Sequence, residues 1–268
     1  MRAIARFLDS VLLVLLVAAV PGLPARAATL AADVIIVVDT TGSMADEVNS
    51  LENSINGFAG LYAAAGIDLH LIVIGESSSA ASGICVPAPL GSGNCTNDEN
   101  LPRYRHVPEL VGSTNALSKI IATHPQWQSS LRVGATRDFI VVTDDDSSLD
   151  AASFRNQLLA LDPSFTGFRF NGIVASYPGG FSDPCRPVAN VSGDTYVTLI
   201  NQTGGVLINL CNANQNFGPG LASIVPQGPG PGNGNGNAPE PGALALFALG
   251  LVALGYLHRR RLGLVRPS

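Results

Sequence analysis

The sequence is poor in basic and aromatic residues. Only 15 of its 268 residues are lysine or arginine, and aromatic residues make up 6%. Between residues 28 and 238, eight basic residues stand against 18 acidic ones, a net charge of −10. A surface of that sign repels phosphate backbones, which argues against nucleic acid as a partner, and it is compatible with attracting divalent cations.

The amino-terminal segment, residues 1–27, has the three parts of a signal peptide. Basic Arg2 and Arg6 precede an apolar run at 11–20, and Ala25-Arg26-Ala27 provides a small-residue cleavage site. Ten apolar residues are too few to span a bilayer, which disfavours a membrane anchor. We therefore predict cleavage after Ala27.

The carboxyl-terminal segment follows a linker of Pro, Gly and Asn at 227–238 that cannot form a core. Residues 239–268 contain Pro239-Glu240-Pro241, an uncharged apolar run at 242–257 and a basic cluster. The run predicts a short transmembrane segment with the basic cluster on the cytoplasmic side. An unprocessed membrane anchor is the alternative.

In order and composition, residues 239–268 resemble the PEP-CTERM sorting signal, which exosortase systems of Gram-negative bacteria recognise and process. The resemblance implies that Pro239, Glu240 and Pro241 form the sorting motif and that exosortase is a partner during processing. It also implies a transient inner-membrane intermediate. The destination would be the outer surface or the extracellular matrix.

The four cysteines, Cys85, Cys95, Cys185 and Cys211, all lie in the exported part. Without a Cys-x-x-Cys motif, and with wide spacings, zinc is disfavoured. Export favours two disulfides, for which three connectivities are possible. We prefer Cys85–Cys95 and Cys185–Cys211 because each pair is local in sequence.

One stretch organises the remainder of the chain. Residues 34–38 are all β-branched and apolar, the pattern of a strand buried on both faces. Asp39, Thr41 and Ser43 follow on one turn before a helical apolar pattern begins at Val48. Ligands bind at such carboxyl ends of strands in open α/β sheets, and oxygen side chains suit a hard cation.

Asp39-x-Thr41-x-Ser43 resembles the first segment of the metal-ion-dependent adhesion site of von Willebrand factor A (vWA) domains. A dehalogenase-type phosphatase would have a second aspartate in place of Thr41, and a phosphate-binding loop would have Gly-Lys-Ser/Thr. A purely structural turn is the remaining alternative.

Two later segments extend the resemblance. Gly112-Ser113-Thr114-Asn115 is similar to the family's second segment and implies Thr114 as a ligand, with Ser113 offering the same hydroxyl one position earlier. A plain helix N-cap would also explain these residue types. Thr143-Asp144 is similar to the third segment, although Asp145 stands where glycine is usual. It could strengthen cation binding or be a solvated loop residue.

The resemblance covers residues 32–224. It implies a three-layer, Rossmann-like α/β vWA fold with a mostly parallel central sheet and helices on both faces. We assign this domain to residues 28–226. A long loop at about 76–110, rich in Ser, Gly, Pro and Asn, predicts a disulfide-containing insert.

The resemblance implies a binding protein rather than an enzyme. Hydroxyls of Thr41, Ser43 and Thr114 would hold Mg²⁺ (or Mn²⁺ or Ca²⁺) directly, with Asp39 and Asp144 acting through water. A partner protein or an acidic glycan would supply a carboxylate to the open position.

Two other functions compete with this one. The first is a metal-assisted extracellular hydrolase, which would need a base such as His106 or His124, the histidines that we place outside strands. No Gly-x-Ser-x-Gly elbow supports it. The second is a structural matrix protein with a vestigial metal site.

Overall fold

Six parallel strands form the centre of the structure, a computed structural model that describes residues 30–77, 82–176, 192–212 and 216–226. The strands are β1 (Leu30–Val38), β2 (Ile67–Gly75), β3 (Tyr104–Pro108), β4 (Thr136–Thr143), β5 (Arg169–Val174) and β6 (Leu207–Asn209). Their order in the sheet is β3-β2-β1-β4-β5-β6, and each neighbouring pair is parallel.

Helices cover both faces of this sheet. They are α1 (Ala45–Ala64), α2 (Ala116–Trp127), α3 (Ala151–Leu161), α4 (Asp194–Thr203) and α5 (Gly218–Ile224). The side chains of β1 alternate between the two faces of the sheet. Val34 and Ile36 pack in the cluster with α1 and α5, whereas Ile35 and Val37 pack in the cluster with α2, α3 and α4. The expected three-layer, Rossmann-like α/β fold is therefore confirmed.

The strand order places a topological switch point between β1 and β4. From β1 the chain first builds outward through β2 and β3, and then returns to β4 on the other side of β1. The connections that follow β1 and β4 therefore diverge and leave a crevice at their carboxyl ends. Asp39 and Asp144, the residues next after those two strands, border this crevice.

One expectation about the insert is wrong in extent. The predicted loop at 76–110 contains β3, which pairs with β2 from Leu71 to Gly75. This strand has only five residues and includes Arg105 and His106, so its apolar signal is weak beside the surrounding Ser, Gly and Pro. His106 consequently lies in a strand, and the insert ends before Tyr104.

The chain divides into two units, residues 1–226 and 227–268, and only the first contains described residues. The predicted signal peptide, linker, sorting signal and transmembrane segment 242–257 lie outside the described residues. Within the described ranges, no helix has the length and apolar character needed to cross a membrane.

The end of α4 depends on two glycines. Gly204 has a left-handed backbone (φ 67°), which ends the helix. A Cβ added at Gly205 would lie 1.7 Å from the carbonyl oxygen of Phe170 in β5. The backbone of this turn therefore lies too close to β5 for any side chain at position 205.

We expect Gly205→Ala to lower the free energy of unfolding by about 1–3 kcal/mol or more, because the added methyl group displaces β5. Gly57→Ala is the matched control, since Gly57 is an exposed residue within α1 with open space around it. That change should raise stability by about 0.5–1 kcal/mol. Urea unfolding measures both, and equal effects would contradict the packing at Gly205.

Candidate functional site

Asp39 lies at the centre of the candidate site. It is fully buried, and its backbone amide donates to the carbonyl of Val142 in β4 over 2.9 Å. Its Oδ1 accepts from the amide and the hydroxyl of Thr41 (2.9 and 2.8 Å), and its Oδ2 accepts from the hydroxyl of Thr143 (2.9 Å). One carboxylate thus connects the turn after β1 to the end of β4.

A row of three hydroxyl groups lies beside this carboxylate. The one-turn 3₁₀ helix Gly42–Met44 brings Thr41 and Ser43 together, with their side-chain oxygens 3.3 Å apart. The hydroxyl of Ser113 lies 3.5 Å from Thr41 Oγ1 and donates to it. The first and second predicted segments therefore meet, as their positions after β1 and β3 require.

The loop that carries Ser113 is fixed by its backbone. The amide of Thr40 donates to the carbonyl of Val111 over 2.9 Å, which attaches the loop to the turn after β1. The side chain of Asn115 accepts from the amide of Gly112 (2.9 Å) and makes no capping bond to α2. The polar residues before α2 therefore shape the loop rather than cap the helix with a side chain.

The structure distinguishes Ser113 from Thr114. Ser113 contacts Thr41, whereas Thr114 is exposed and its backbone carbonyl accepts from the amide and hydroxyl of Ser148 (2.9 and 3.0 Å). The hydroxyl row is thus completed by Ser113. The predicted role of Thr114 as a ligand stays a prediction.

Asp144 is the least well satisfied carboxylate of the site. Its Oδ1 is buried and accepts no hydrogen bond. Burial raises the pKa of Asp144 above its usual value, a hydrogen bond from Ser43 opposes this, and the charges of Asp145 and Asp39 raise the pKa further. The ionised form therefore costs free energy in the protein without a cation.

The neighbouring acidic residues have different roles. The backbone amide of Asp145 donates to Thr143 Oγ1 (3.2 Å). Asp146 accepts from the amide and hydroxyl of Thr195 (3.0 and 3.2 Å), so it holds the first turn of α4. The predicted role of Asp145 as an additional ligand stays a prediction.

Glu47 is a neighbour that the sequence analysis missed. Burial raises the pKa of its carboxyl group, a backbone hydrogen bond lowers it, and the charges of Asp144 and Asp46 raise it. Its position one helical turn after Ser43 could have indicated that it lies near the site.

The donor atoms of this site fit a hard divalent cation. They are hydroxyl and carboxylate oxygens, the type that Mg²⁺, Mn²⁺ and Ca²⁺ prefer. The buried oxygen of Asp144 that lacks a hydrogen-bond partner could accept such a cation or a proton. Among the described residues, no group of three or more His, Cys, Asp or Glu side chains could hold a metal ion. The hydroxyl groups would therefore have to contribute.

Neither candidate histidine belongs to this site. His106 is buried in β3, and both of its ring nitrogens are bound, to Asp98 and to the carbonyl of Gly75. The ring of His124 packs edge-on against Trp127 and Phe165, with centroids 4.8 and 5.8 Å apart.

A disulfide joins Cys85 to Cys95 within the insert, with their Cα atoms 5.0 Å apart. Cys185 lies outside the described residues, so the Cys185–Cys211 pairing stays a prediction. The described cysteines include no free thiol.

Comparison with known proteins identifies the carboxyl-terminal signal. The PEP-CTERM protein-sorting motif matches residues 237–261, which include Pro239, Glu240 and Pro241. This confirms the predicted sorting signal and exosortase as its processing partner. The motif indicates export through the inner membrane to the cell surface of a Gram-negative bacterium.

Solved structures similar to this chain include two crystal structures of the pilus adhesin SpaC from Lactobacillus rhamnosus GG. The first is 13% identical with a TM-score of 0.41, and the match covers 74% of this chain and 31% of the adhesin. The second, in an open conformation, is 14% identical with a TM-score of 0.32, and the match covers 65% of this chain and 30% of the adhesin. The chain thus spans less than a third of the adhesin's length. No curated protein matches it.

We expect Asp144→Asn to hold or raise the stability of the chelator-treated protein at pH 7, because it removes a charge that the fold disfavours. The gain should shrink as the pH falls through the raised pKa of Asp144, where the wild-type carboxyl group becomes neutral. Urea unfolding across pH 4–7 measures this.

Asp33→Asn is the contrasting variant. Asp33 is fully buried at the start of β1 and pairs with Arg132 and Arg137. Its loss should cost about 3–5 kcal/mol, because the buried guanidinium group of Arg137 loses its carboxylate partner and Arg132 keeps only Asp68. If Asp144→Asn destabilised the protein by a similar amount, the conclusion that the fold disfavours the ionised form of Asp144 would be wrong.

A further prediction concerns sorting. Replacing Pro239 and Glu240 by alanine should trap an uncut form in the inner membrane, because the processing signal is lost. Replacing Pro229 and Pro231 of the linker by alanine should leave sorting unchanged. Cell fractionation with intact-mass measurement tests both, and wild-type protein found only at full length in the inner membrane would contradict processing.

Proposed function

We propose that this exported domain is a vWA-type adhesion module and not an enzyme. Its site binds a divalent cation, Mg²⁺ or alternatively Mn²⁺ or Ca²⁺, and through it a carboxylate of a partner protein or acidic glycan. The observation that carries the proposal is the buried, partnerless oxygen of Asp144, which follows β4, beside the hydroxyl groups of Thr41 and Ser43 after β1 and of Ser113 after β3.

The residues of the site would have two different roles towards the cation. The hydroxyls of Thr41, Ser43 and either Ser113 or Thr114 would contact the cation. Asp39 holds Thr41 by two hydrogen bonds and would act through water, as would Asp144. Neutral hydroxyl ligands would leave the cation strongly electrophilic, with a position for an incoming carboxylate.

The positions of the two histidines that were candidate bases favour binding over hydrolysis. The two histidines considered for hydrolysis are engaged elsewhere, His106 with Asp98 and His124 within an aromatic cluster. The acidic surface of the exported domain would also raise the local concentration of divalent cations.

Calorimetric titration of the purified protein with Mg²⁺, Mn²⁺ and Ca²⁺ tests the proposal. We expect saturable binding, with Ser43→Ala weakening affinity by about tenfold or more. Ser54→Ala removes a hydroxyl on α1 that donates to the carbonyl of Ser50, away from the site, and should leave affinity unchanged. Comparing Ser113→Ala with Thr114→Val shows which hydroxyl of the loop binds.

Partner capture then separates the competing functions. Adhesion predicts that surface proteins or acidic glycans bind in Mg²⁺ and are released by chelator, without turnover. Metal-dependent turnover of a substrate would favour the hydrolase. Undiminished partner binding without any cation would favour a structural matrix protein with a vestigial site.

A further inference from the structure

A second buried ionisable cluster lies under the disulfide insert, residues 82–103. His106 of β3 has a side chain only 4% exposed. Its Nδ1 lies 2.5 Å from Asp98 Oδ1 in the insert, and its Nε2 lies 3.0 Å from the carbonyl oxygen of Gly75, the last residue of β2. The imidazole ring therefore connects the insert to the edge of the sheet.

Both partners of the ring are acceptors. The carbonyl of Gly75 can only accept. Burial opposes ionisation of Asp98, but hydrogen bonds, including those that its Oδ2 accepts from the amide of Val86 (2.5 Å) and the hydroxyl of Tyr104 (3.0 Å), lower its pKa overall and favour the carboxylate. A neutral imidazole has one N–H and could satisfy only one of two such acceptors. With Asp98 ionised, both acceptors are satisfied only when His106 is protonated and positively charged.

We propose that His106 is a protonation-dependent contact that fixes the insert to the sheet edge, and that its deprotonation as the pH rises loosens the insert. The proposal is independent of metal binding. It concerns a segment close to the candidate site, because a Cβ at Gly75 would lie within 3.5 Å of both Ile84 in the insert and Thr40 in the turn after β1.

The surrounding charges favour this protonation. Burial alone would lower the pKa of His106, but the hydrogen bond and charge of Asp98, the carbonyl of Gly75 and the charge of Glu99 raise it overall. Burial opposes ionisation of Asp98, but the hydrogen bond from His106 and that from Val86 lower its pKa overall.

The neighbouring ionisable groups of the Asp98–His106 pair do not account for the pH dependence that we expect from His106. Arg105 of β3 pairs with Glu99 over 3.7 Å, on the insert side. Glu52 of α1 accepts from the amide of Cys85 (2.5 Å), and burial raises its pKa. Burial, followed by the charge of Asp98, raises the pKa of Tyr104 far above neutrality.

The sign of the pH dependence follows from these shifts. The pKa of His106 is raised in the folded protein, so its stabilisation is complete below the unfolded value of about 6.5 and is lost as the pH rises through the folded value. Asp98 has a lowered pKa, so its contribution is lost only in acid. Both groups are therefore charged, and the contact is formed, at pH values between the folded pKa of Asp98 and the folded pKa of His106.

NMR of the imidazole nitrogens of the full protein is the direct test. We expect His106 to show the imidazolium pattern, with both nitrogens protonated, above pH 6.5. His124 is the matched control, because burial lowers its pKa and it should be neutral at the same pH. A neutral His106 ring at pH 7 would overturn the proposal, and this measurement needs no variant.

Hydrogen exchange then tests the consequence for the insert. After correction for intrinsic rates, the amide of Val86 should exchange at least about tenfold faster at pH 9 than at pH 6, because the opening that exposes it becomes less costly. In His106→Gln, which cannot titrate, the change should be less than about twofold. Wild-type exchange without this pH dependence would overturn the proposal.

Discussion

The carboxylate of Asp39 is the constraint on which the candidate site depends. It is fully buried, and it accepts from Thr41 on its own turn and from Thr143 on the neighbouring strand. Because both oxygens are occupied by hydrogen bonds, the carboxylate fixes where the hydroxyl row begins and how the ends of β1 and β4 are aligned. Such hydrogen bonds to a charged acceptor are among the stronger ones in proteins.

The charged residues are divided between the two edges of the sheet. At the amino-terminal edge, buried carboxylates have guanidinium partners: Asp33 pairs with Arg132 and Arg137, and Asp138 pairs with Arg169. At the carboxyl-terminal edge, none of the ion pairs among the described residues involves an acid of the candidate site. Arginine partners for buried carboxylates are thus found at the amino-terminal edge and not at the candidate site.

The sequence predicted those parts of the structure that depend on local pattern. The β-branched run at 34–38 and the hydroxyls spaced along the next turn indicated both the fold and the position of Asp39, since strand ends in a parallel sheet share one edge. Two features lacked such a signal. Strand β3 is short and polar, and the contact of Ser113 rather than Thr114 with Thr41 depends on loop conformation.

The buried carboxylates also show why Asp144 differs from the others. Asp33 and Asp138 are compensated by arginines, Asp98 by a protonated His106, and Asp39 by hydroxyl and amide donors. Within the described residues, Asp144 provides the only carboxylate oxygen that is buried without a hydrogen-bond partner. A charge that the chain leaves uncompensated costs free energy until an external cation or proton arrives. The point where β1 and β4 diverge is therefore where the described part of the chain leaves a buried carboxylate oxygen without a partner.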